Sequence, residues 1–567
     1  MLILPKIIEE NGLNDFPVLY WNHVGLEMNR ITHSLGGPHR GPTMSSRALG
    51  LLHLAIHDAY FAVLGHTQAS SPPTWLPDGE RPSSGAIPAT LVEANAALTG
   101  AAVRMLERLY GEPDPGMSTQ NRETMVQLMR GYTTGYRHHI DTLSAAHIYG
   151  MGIADLIHAR LAVKPGEPGA GHGSYQPRSG RYYFRDEPGI PVRLVNIDPD
   201  DPSKGQRAVQ EYHGPFYGTT VGDFAVTDPD GHRLAHWPEG TAEYVNALAE
   251  VRKKGGAAHL NSTDRSPDET VAAVYWAYDG PNLIGTPPRL YNQVLRVVAW
   301  NKRDPAANPA DTTLAATLDQ SSEFVRVLAL ANVAMADAGK FAWKEKYRFE
   351  LWRPMSGIRE HDPSAQAGNG GAQKLTAEAD PFWLALGAPE TNSDRISFKP
   401  PFPAYPSGHA TFGAACFQMA RLYYASVGKA MVEPNGTDNI AFTFVSEELN
   451  GICRDLYQPH DPGRPIEDQP GLVRTYVERR FNSLWRAIWE NAFSRIWLGV
   501  HWRYDAFDYA DAGNGKGGYK DPDTVAYSNV WTAPRAPDAP DSALPTGGVP
   551  LGLGIANDIW ANAMRAP

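Results

Sequence analysis

Apolar residues recur at helical spacing along most of this chain, and that periodicity restricts it to folds made of packed helices. The first strong run spans Ala48 to Leu64, followed by Ala94–Tyr110, Arg122–Tyr132 and Ile140–Leu161. Helical spacing returns over Thr270–Tyr278, Tyr291–Asn301, Leu314–Met335 (running on to Lys346), Ala410–Ala425 and Leu472–Leu498. Short intervals between the runs are those of a bundle, and no clear strand alternation interrupts them outside short loop pieces. An all-α protein is expected. With 567 residues the chain is too long for one simple core, so two domains or two lobes are expected. The reading divides it into an N-terminal helical bundle over residues 1–300, a C-terminal helical bundle over 301–515 and a Pro/Gly-rich tail over 516–567. From Lys164 to Gly240, prolines, glycines and aromatics lose all period. That stretch is too aromatic for a disordered linker and reads as an ordered excursion over the surface.

A net charge of −11 argues against non-specific nucleic-acid binding. Two cysteines, Cys416 and Cys453, exclude a disulfide framework and a four-cysteine metal site, and Cys416 reads as a core residue. No run of about 18 apolar residues marks a membrane span, and the N-terminus is not that of a signal peptide. His53 and His57 stand at metal-ligand spacing, but without a third ligand nearby they read as a satisfied buried or partner-facing pair.

The chemistry centres on Pro406-Ser407-Gly408-His409. Pro403 and Pro406 hold the preceding backbone extended, and the apolar run after His409 is helical, so Ser407 and Gly408 stand where a loop enters a helix. The first amides of a helix lack internal partners and carry partial positive charge, which makes such an end a site for an oxoanion. Taken alone, Ser407 is more simply a helix cap. Two other segments change the balance. Lys346 and Arg353 are about two helical turns apart and can share a face, with Pro354 ending the helix at Arg353. Arg495 and His501 are not on one face of a straight helix, so a break near Gly499 is required if both serve one site. Together these segments offer three cations, neutral donors at Ser407 and Gly408, and two imidazoles. Three buried cations call for an anion between them.

The triple Lys346-x6-Arg353-Pro354, Pro406-Ser407-Gly408-His409 and Ser494-Arg495-x3-Gly499-x-His501-x3-Asp505 resembles the signature shared by vanadium-dependent haloperoxidases and a group of acid phosphatases. The stretches Asn22–Glu27, Leu52–Tyr60, Trp276–Gly280 and Lys399–Tyr405 are similar to the fungal-type vanadium chloroperoxidases. The resemblance implies two four-helix bundles with long ordered loops and vanadate in the second. It implies that Lys346, Arg353, Ser407, the Gly408 amide and Arg495 hydrogen-bond vanadate, that His501 supplies the nitrogen ligand and that His409 is the acid-base group. Trp343 and Phe402 match positions beside the halide, and Asp279 an acidic partner of the cation cluster. The implied reactants are hydrogen peroxide, chloride or bromide and a small organic substrate, with no nucleic acid or membrane partner.

On this reading His409 takes and returns protons, Lys346 polarises the bound peroxide and the metal acts as a Lewis acid without changing oxidation state. Phenylalanine at 402, where algal bromoperoxidases tend to carry histidine, leans the expectation towards chloride as well as bromide oxidation. The three motifs alone leave open an acid phosphatase with His501 as nucleophile, and a pure phosphoryl-binding protein. The first is disfavoured by the chain's length and N-terminal similarities, the second by His409, which binding alone does not need. Compartment, oligomeric state and organic substrate are not legible, although the resemblance is compatible with secretion.

Overall fold

The computed structural model describes residues 15–65, 72–83, 86–111, 117–136, 140–164, 167–170, 175–185, 187, 192–196, 201–210, 213–257, 263–280, 284–306, 315–361, 380–388, 399–433, 437–451, 475–508 and 544–567. It is mostly helical. The helices are α1 Pro17–Leu35, α2 Pro42–Leu64, α3 Leu91–Tyr110, α4 Thr119–Thr134, α5 Ala145–Leu161, α6 Tyr217–Thr220, α7 Ala242–Lys254, α8 Pro267–Tyr275, α9 Pro287–Lys302, α10 Ala315–Phe349, α11 Pro354–Arg359, α12 Gly408–Ser426, α13 Leu484–Trp497, α14 Arg503–Ala506 and α15 Gly548–Ala561. Two antiparallel hairpins accompany them, β1 Val192–Asn196 with β2 Gln206–Gln210 and β3 Phe442–Asn450 with β4 Tyr476–Phe481.

The helix starts follow local chemistry. Thr90, Ser144, Ser407 and Ser483 cap α3, α5, α12 and α13 by accepting a first-turn amide, and Ser266 with Glu269 forms a reciprocal capping box on α8. The Ser144 cap is why α5 begins at Ala145 and not at Ile140. The expected single helix over Leu472–Leu498 is overturned over residues 475–481. There the chain is strand β4, whose outward and half-buried positions alternate, and the helix begins only after the Ser483 cap. Charged residues on that strand masked a period of two.

α1, α2, α3 and α5 pack as one bundle, and α10, α12, α13 and α15 as another, with α10 also lying along α2. Small residues permit close crossings. A Cβ on Gly100 would lie 2.1 Å from the His147 carbonyl oxygen, and one on Gly552 2.3 Å from that of Thr411. The C-terminal stretch therefore ends in a helix, α15, seated on α12; residues 516–543 lie outside those described, as does Cys453. α2 is long and apolar enough to cross a membrane, but its apolar window is wholly buried in the bundle; Arg47, Asp58 and its two histidines hid that run in the sequence.

Those histidines are buried and held by hydrogen bonds at His53 Nε2 and both nitrogens of His57, while His53 Nδ1 has no partner among the described residues. His53 Nε2 lies 2.8 Å from Asn22 Nδ2, and His57 bonds Asp58 Oδ1 at 3.0 Å and Arg326 Nη1 at 2.9 Å. The Asn22 amide continues through Asn292 to Asn332, tying α1, α9 and α10 together across the core. The excursion wraps the outer face of α10. Asp337 accepts the amides of Phe224, Ala225 and Val226 at 2.7, 2.8 and 3.0 Å, while the Leu234 carbonyl accepts from Arg348 and its amide donates to Glu345.

Candidate active site

The site lies where the end of α10, the start of α12 and the end of α13 meet. α10 stops at Phe349, and Glu350 turns the chain at φ 51°. Arg353 is therefore the extended residue before α11. Lys346 and Arg353 reach one place through this turn, not through a shared helical face as the spacing suggested. The break expected near Gly499 is present: α13 ends at Trp497 and Gly499 has φ 75°.

Every cation here is buried. Lys346 Nζ donates to the carbonyls of Pro403 and Ala404 at 2.8 and 2.9 Å, which ties α10 to the loop before α12. Arg353 Nε donates to the Phe402 carbonyl at 2.9 Å, and its Nη1 lies 2.8 Å from the Val500 carbonyl and 3.0 Å from His501 Nε2. Arg495 forms a fork with Asp279, at 2.9 and 2.7 Å. Asp279 is the one carboxylate paired with these three cations among the described residues. Nη2 of Arg353 and Nε of Arg495 are buried donors without an acceptor. Such orphaned charged N–H groups are costly unless a ligand meets them.

The two imidazoles have defined tautomers. His409 Nε2 lies 2.8 Å from the Ala277 carbonyl, which can only accept, so Nε2 carries the hydrogen and Nδ1 keeps its lone pair. His501 Nδ1 lies 2.8 Å from Asp505 Oδ2, which also accepts the Trp502 amide. That carboxylate holds the hydrogen on Nδ1 and leaves Nε2 with its lone pair beside Arg353. The Asp505 carbonyl in turn accepts the Ser407 amide at 2.7 Å, so one residue positions both His501 and the start of α12.

Electrostatics single out the same place. Burial pushes the Lys346 ammonium well below its ordinary value, and Arg353 and Arg495 push it further. Burial and then its cationic neighbours also hold both imidazoles well below their usual range, Arg495 acting most on His409 and Arg353 most on His501. Burial lowers Arg353 to about 10, so it stays charged at neutral pH. Strained positive potential of this kind, concentrated at one cluster, marks a functional site.

An oxoanion suits this donor set. Ser407 Oγ accepts the Ala410 amide at 3.4 Å, which leaves its O–H as a donor, and the Gly408 amide is in the unpaired first turn of α12. A Cβ on Gly408 would lie 3.1 Å from the Trp343 ring, so the bare glycine keeps the helix end open to a ligand. Trp343 and Phe402 lie against each other, with centroids 4.8 Å apart, and Lys346 Nζ is 5.4 and 5.1 Å from their centres.

Known proteins resemble this chain over most of its length. The vanadium chloroperoxidase N-terminal domain matches residues 4–222, and the VCPO second helical-bundle domain matches residues 326–519. The vanadium chloroperoxidase of Curvularia inaequalis is 44% identical to this chain, over 99% of the chain and 92% of the relative. The chain belongs to the vanadium chloroperoxidase family. Two solved structures are also similar at low identity. A bacterial vanadium-dependent iodoperoxidase is 16% identical, with 86% of this chain and 92% of that one covered at a TM-score of 0.48. A holo-type bacterial vanadium-dependent chloroperoxidase is 18% identical, with 84% and 90% covered at a TM-score of 0.48.

Within this vanadium chloroperoxidase fold, the residues expected from the sequence to form the site come together. What the sequence did not disclose is the supporting layer. The His409 carbonyl is held by Tyr291 Oη at 3.1 Å and Asn491 Nδ2 at 2.9 Å, and these two side chains bond each other at 2.9 Å. The Ala277 carbonyl sets the His409 tautomer. Ala277 and Asn491 lie inside or beside stretches already singled out, Trp276–Gly280 and Ser494–Asp505, and Tyr291 lies apart from them, but no local pattern marks the three as partners of His409.

Proposed function

We propose that this chain is a vanadate-dependent haloperoxidase that uses hydrogen peroxide to oxidise chloride and bromide to hypohalous acid, which halogenates electron-rich organic compounds. The observation that carries the reading is the buried donor cluster of Lys346, Arg353 and Arg495, with two unfilled guanidinium N–H groups, next to a His501 Nε2 that keeps its lone pair and faces Arg353 Nη1 at 3.0 Å. Lys346, Arg353, Arg495, Ser407 and the Gly408 amide would hold the oxoanion, and His501 Nε2 would bond the vanadium. Bound vanadate supplies a Lewis acid that activates peroxide at constant oxidation state.

The chain's own contributions follow from the geometry. The three cations are fixed before reaction, so they stabilise negative charge on the oxoanion without reorganising. Asp279 holds Arg495 in register and lies 3.9 Å from His409 Nε2. His409 is neutral when the cluster is bare. Burial holds it low first and the cations second; a bound anion would oppose the cations and raise it, with Nδ1 the atom left to take a proton from entering peroxide and return it later. Trp343 and Phe402 supply an apolar wall beside Lys346, where a weakly hydrated halide competes well with water.

The decisive assay is halogenation of a β-diketone with peroxide and bromide or chloride, with and without orthovanadate. Vanadate-dependent turnover is the expected result. Absence of that turnover together with hydrolysis of phosphate esters would make the protein a phosphatase with His501 as nucleophile.

A further inference from the structure

The halide wall is held by a segment that carries none of the motifs. The His213 carbonyl accepts Nε1–H of Trp343 at 2.9 Å and the hydroxyl of Tyr347 at 3.0 Å. The His213 amide donates to the Pro401 carbonyl at 3.1 Å, and its ring meets Phe402 edge-on at 6.3 Å. One residue of the excursion thus contacts both aromatic residues of the pocket or their immediate neighbours.

The glycines after it show how tightly this segment is set. Gly214 has φ 67°, a backbone conformation that disfavours a side chain. A Cβ there would lie 3.1 Å from Cδ1 and 3.2 Å from Nε1 of Trp343. A Cβ on Gly218 would lie 2.1 Å from the Lys344 amide nitrogen, so α6 sits directly on the α10 backbone. At the other edge of the indole, a Cβ on Gly408 would lie 3.1 Å from Cζ3 and 3.3 Å from Cη2. The Trp343 ring therefore spans the gap from Gly214 to Gly408. Its reach towards the oxoanion-binding amide is limited at one end by the excursion.

We propose that the His213–Gly218 segment is the specificity-determining element of the halide pocket: it sets how far the Trp343 indole reaches towards Gly408, and so how large a halide the pocket accepts. His213 and Gly214 are positioning residues in this role, since they act through Trp343. The inference rests on the haloperoxidase reading above.

Two variants of the vanadate-loaded enzyme move the indole in opposite senses. Gly214→Ala pushes the ring towards Gly408, and the loss in kcat/KM should grow from chloride to bromide to iodide, to about tenfold in the iodide-to-chloride ratio, the value of one methylene in an apolar pocket. Tyr347→Phe removes the Tyr347 hydroxyl donor from the His213 carbonyl without adding volume. It should loosen the turn and shift the ratio towards iodide. Direct equilibrium titration with orthovanadate should give the wild-type dissociation constant for both. An equal loss for all three halides, or weaker vanadate binding with unchanged halide ratios, would overturn the proposal. Should Gly214→Ala fail to fold, an unchanged ratio in Tyr347→Phe overturns it alone. Wild-type protein without vanadate-dependent halide oxidation would overturn the functional reading itself, a result separable from these.

Discussion

Replacing Arg353 by methionine should abolish most vanadate binding while leaving the fold intact. Methionine keeps much of the buried volume, so the main loss is of charge and donors. Arg353 makes three contacts at 2.8–3.0 Å, to Phe402, Val500 and His501, and directs its unfilled Nη2 into the same cluster. Truncating one partner of a buried, hydrogen-bonded charge pair costs about 2–4 kcal/mol. Tenfold per 1.4 kcal/mol makes that a rise of roughly 30-fold to 700-fold in the vanadate dissociation constant. Ligand stabilisation gives a second readout. At a vanadate concentration 100 times the wild-type dissociation constant, binding stabilises the fold by about 2.7 kcal/mol, and the weakened variant would retain less than about 0.9 kcal/mol. The vanadate-induced rise in Tm should therefore nearly vanish. Arg353→Lys, which keeps the charge but loses the fork, should fall between the two. The reasoning is refuted if Arg353→Met binds vanadate within threefold of wild type by titration, or keeps the full Tm rise.

His409→Ala should retain vanadate binding yet lose peroxide turnover by about 100-fold or more, the usual contribution of a positioned acid-base group, as read from bromide kinetics beside a binding titration. Phe402→His should lower the chloride-to-bromide rate ratio; an unchanged ratio would mean that Phe402 only packs beneath the loop. Asp337→Ala strands the amides of Phe224, Ala225 and Val226 and should cost at least about 2 kcal/mol in urea unfolding. Burial pushes the Glu27 carboxyl up, but Arg30 and Arg289 outweigh it and hold the group down at about 2. A depressed carboxyl stabilises the fold fully above its unfolded value, near 4.5, and that stability is lost as pH falls through about 2. Glu27→Gln should thus flatten the acid limb of a stability-versus-pH curve, and an unaltered limb would place the acid sensitivity elsewhere.

The helices and the site were legible to different depths for identifiable reasons. The long helical runs announce α3, α10 and α12, and at α3 and α12 the period agrees with a cap, Thr90 and Ser407. β4 was hidden because Arg479 and Arg480 fill half-buried and exposed positions where an apolar alternation would have been visible; Arg479 is there to pair with Glu490 and Asp268. α15 was hidden by its setting, since it follows a Pro/Gly-rich stretch and its own Gly548 and Gly552 read as breakers. Their lack of side chains is what lets α15 pack against Ser407 and Thr411 of α12. The candidate site residues stood out because the oxoanion they are proposed to hold demands particular donors. The groups that orient those donors use backbone carbonyls at Ala277, His213 and Asp505, and a carbonyl leaves no trace in residue type.

That division bears on how this site is built. Lys346, Arg353 and Arg495 would repel one another in a bare pocket, and Asp279 neutralises only one of them. Backbone carbonyls of Phe402, Pro403, Ala404 and Val500 hold the other two in place without cancelling their charge. A carboxylate at any of these points would stabilise the empty protein more, and would compete with the oxoanion for the same N–H groups. Dipolar partners fix geometry while preserving net positive potential, which is what a site for a highly charged anion needs. The same economy explains the glycine at 408 and the capping serine at 407, which present donors and no competing charge at the start of α12.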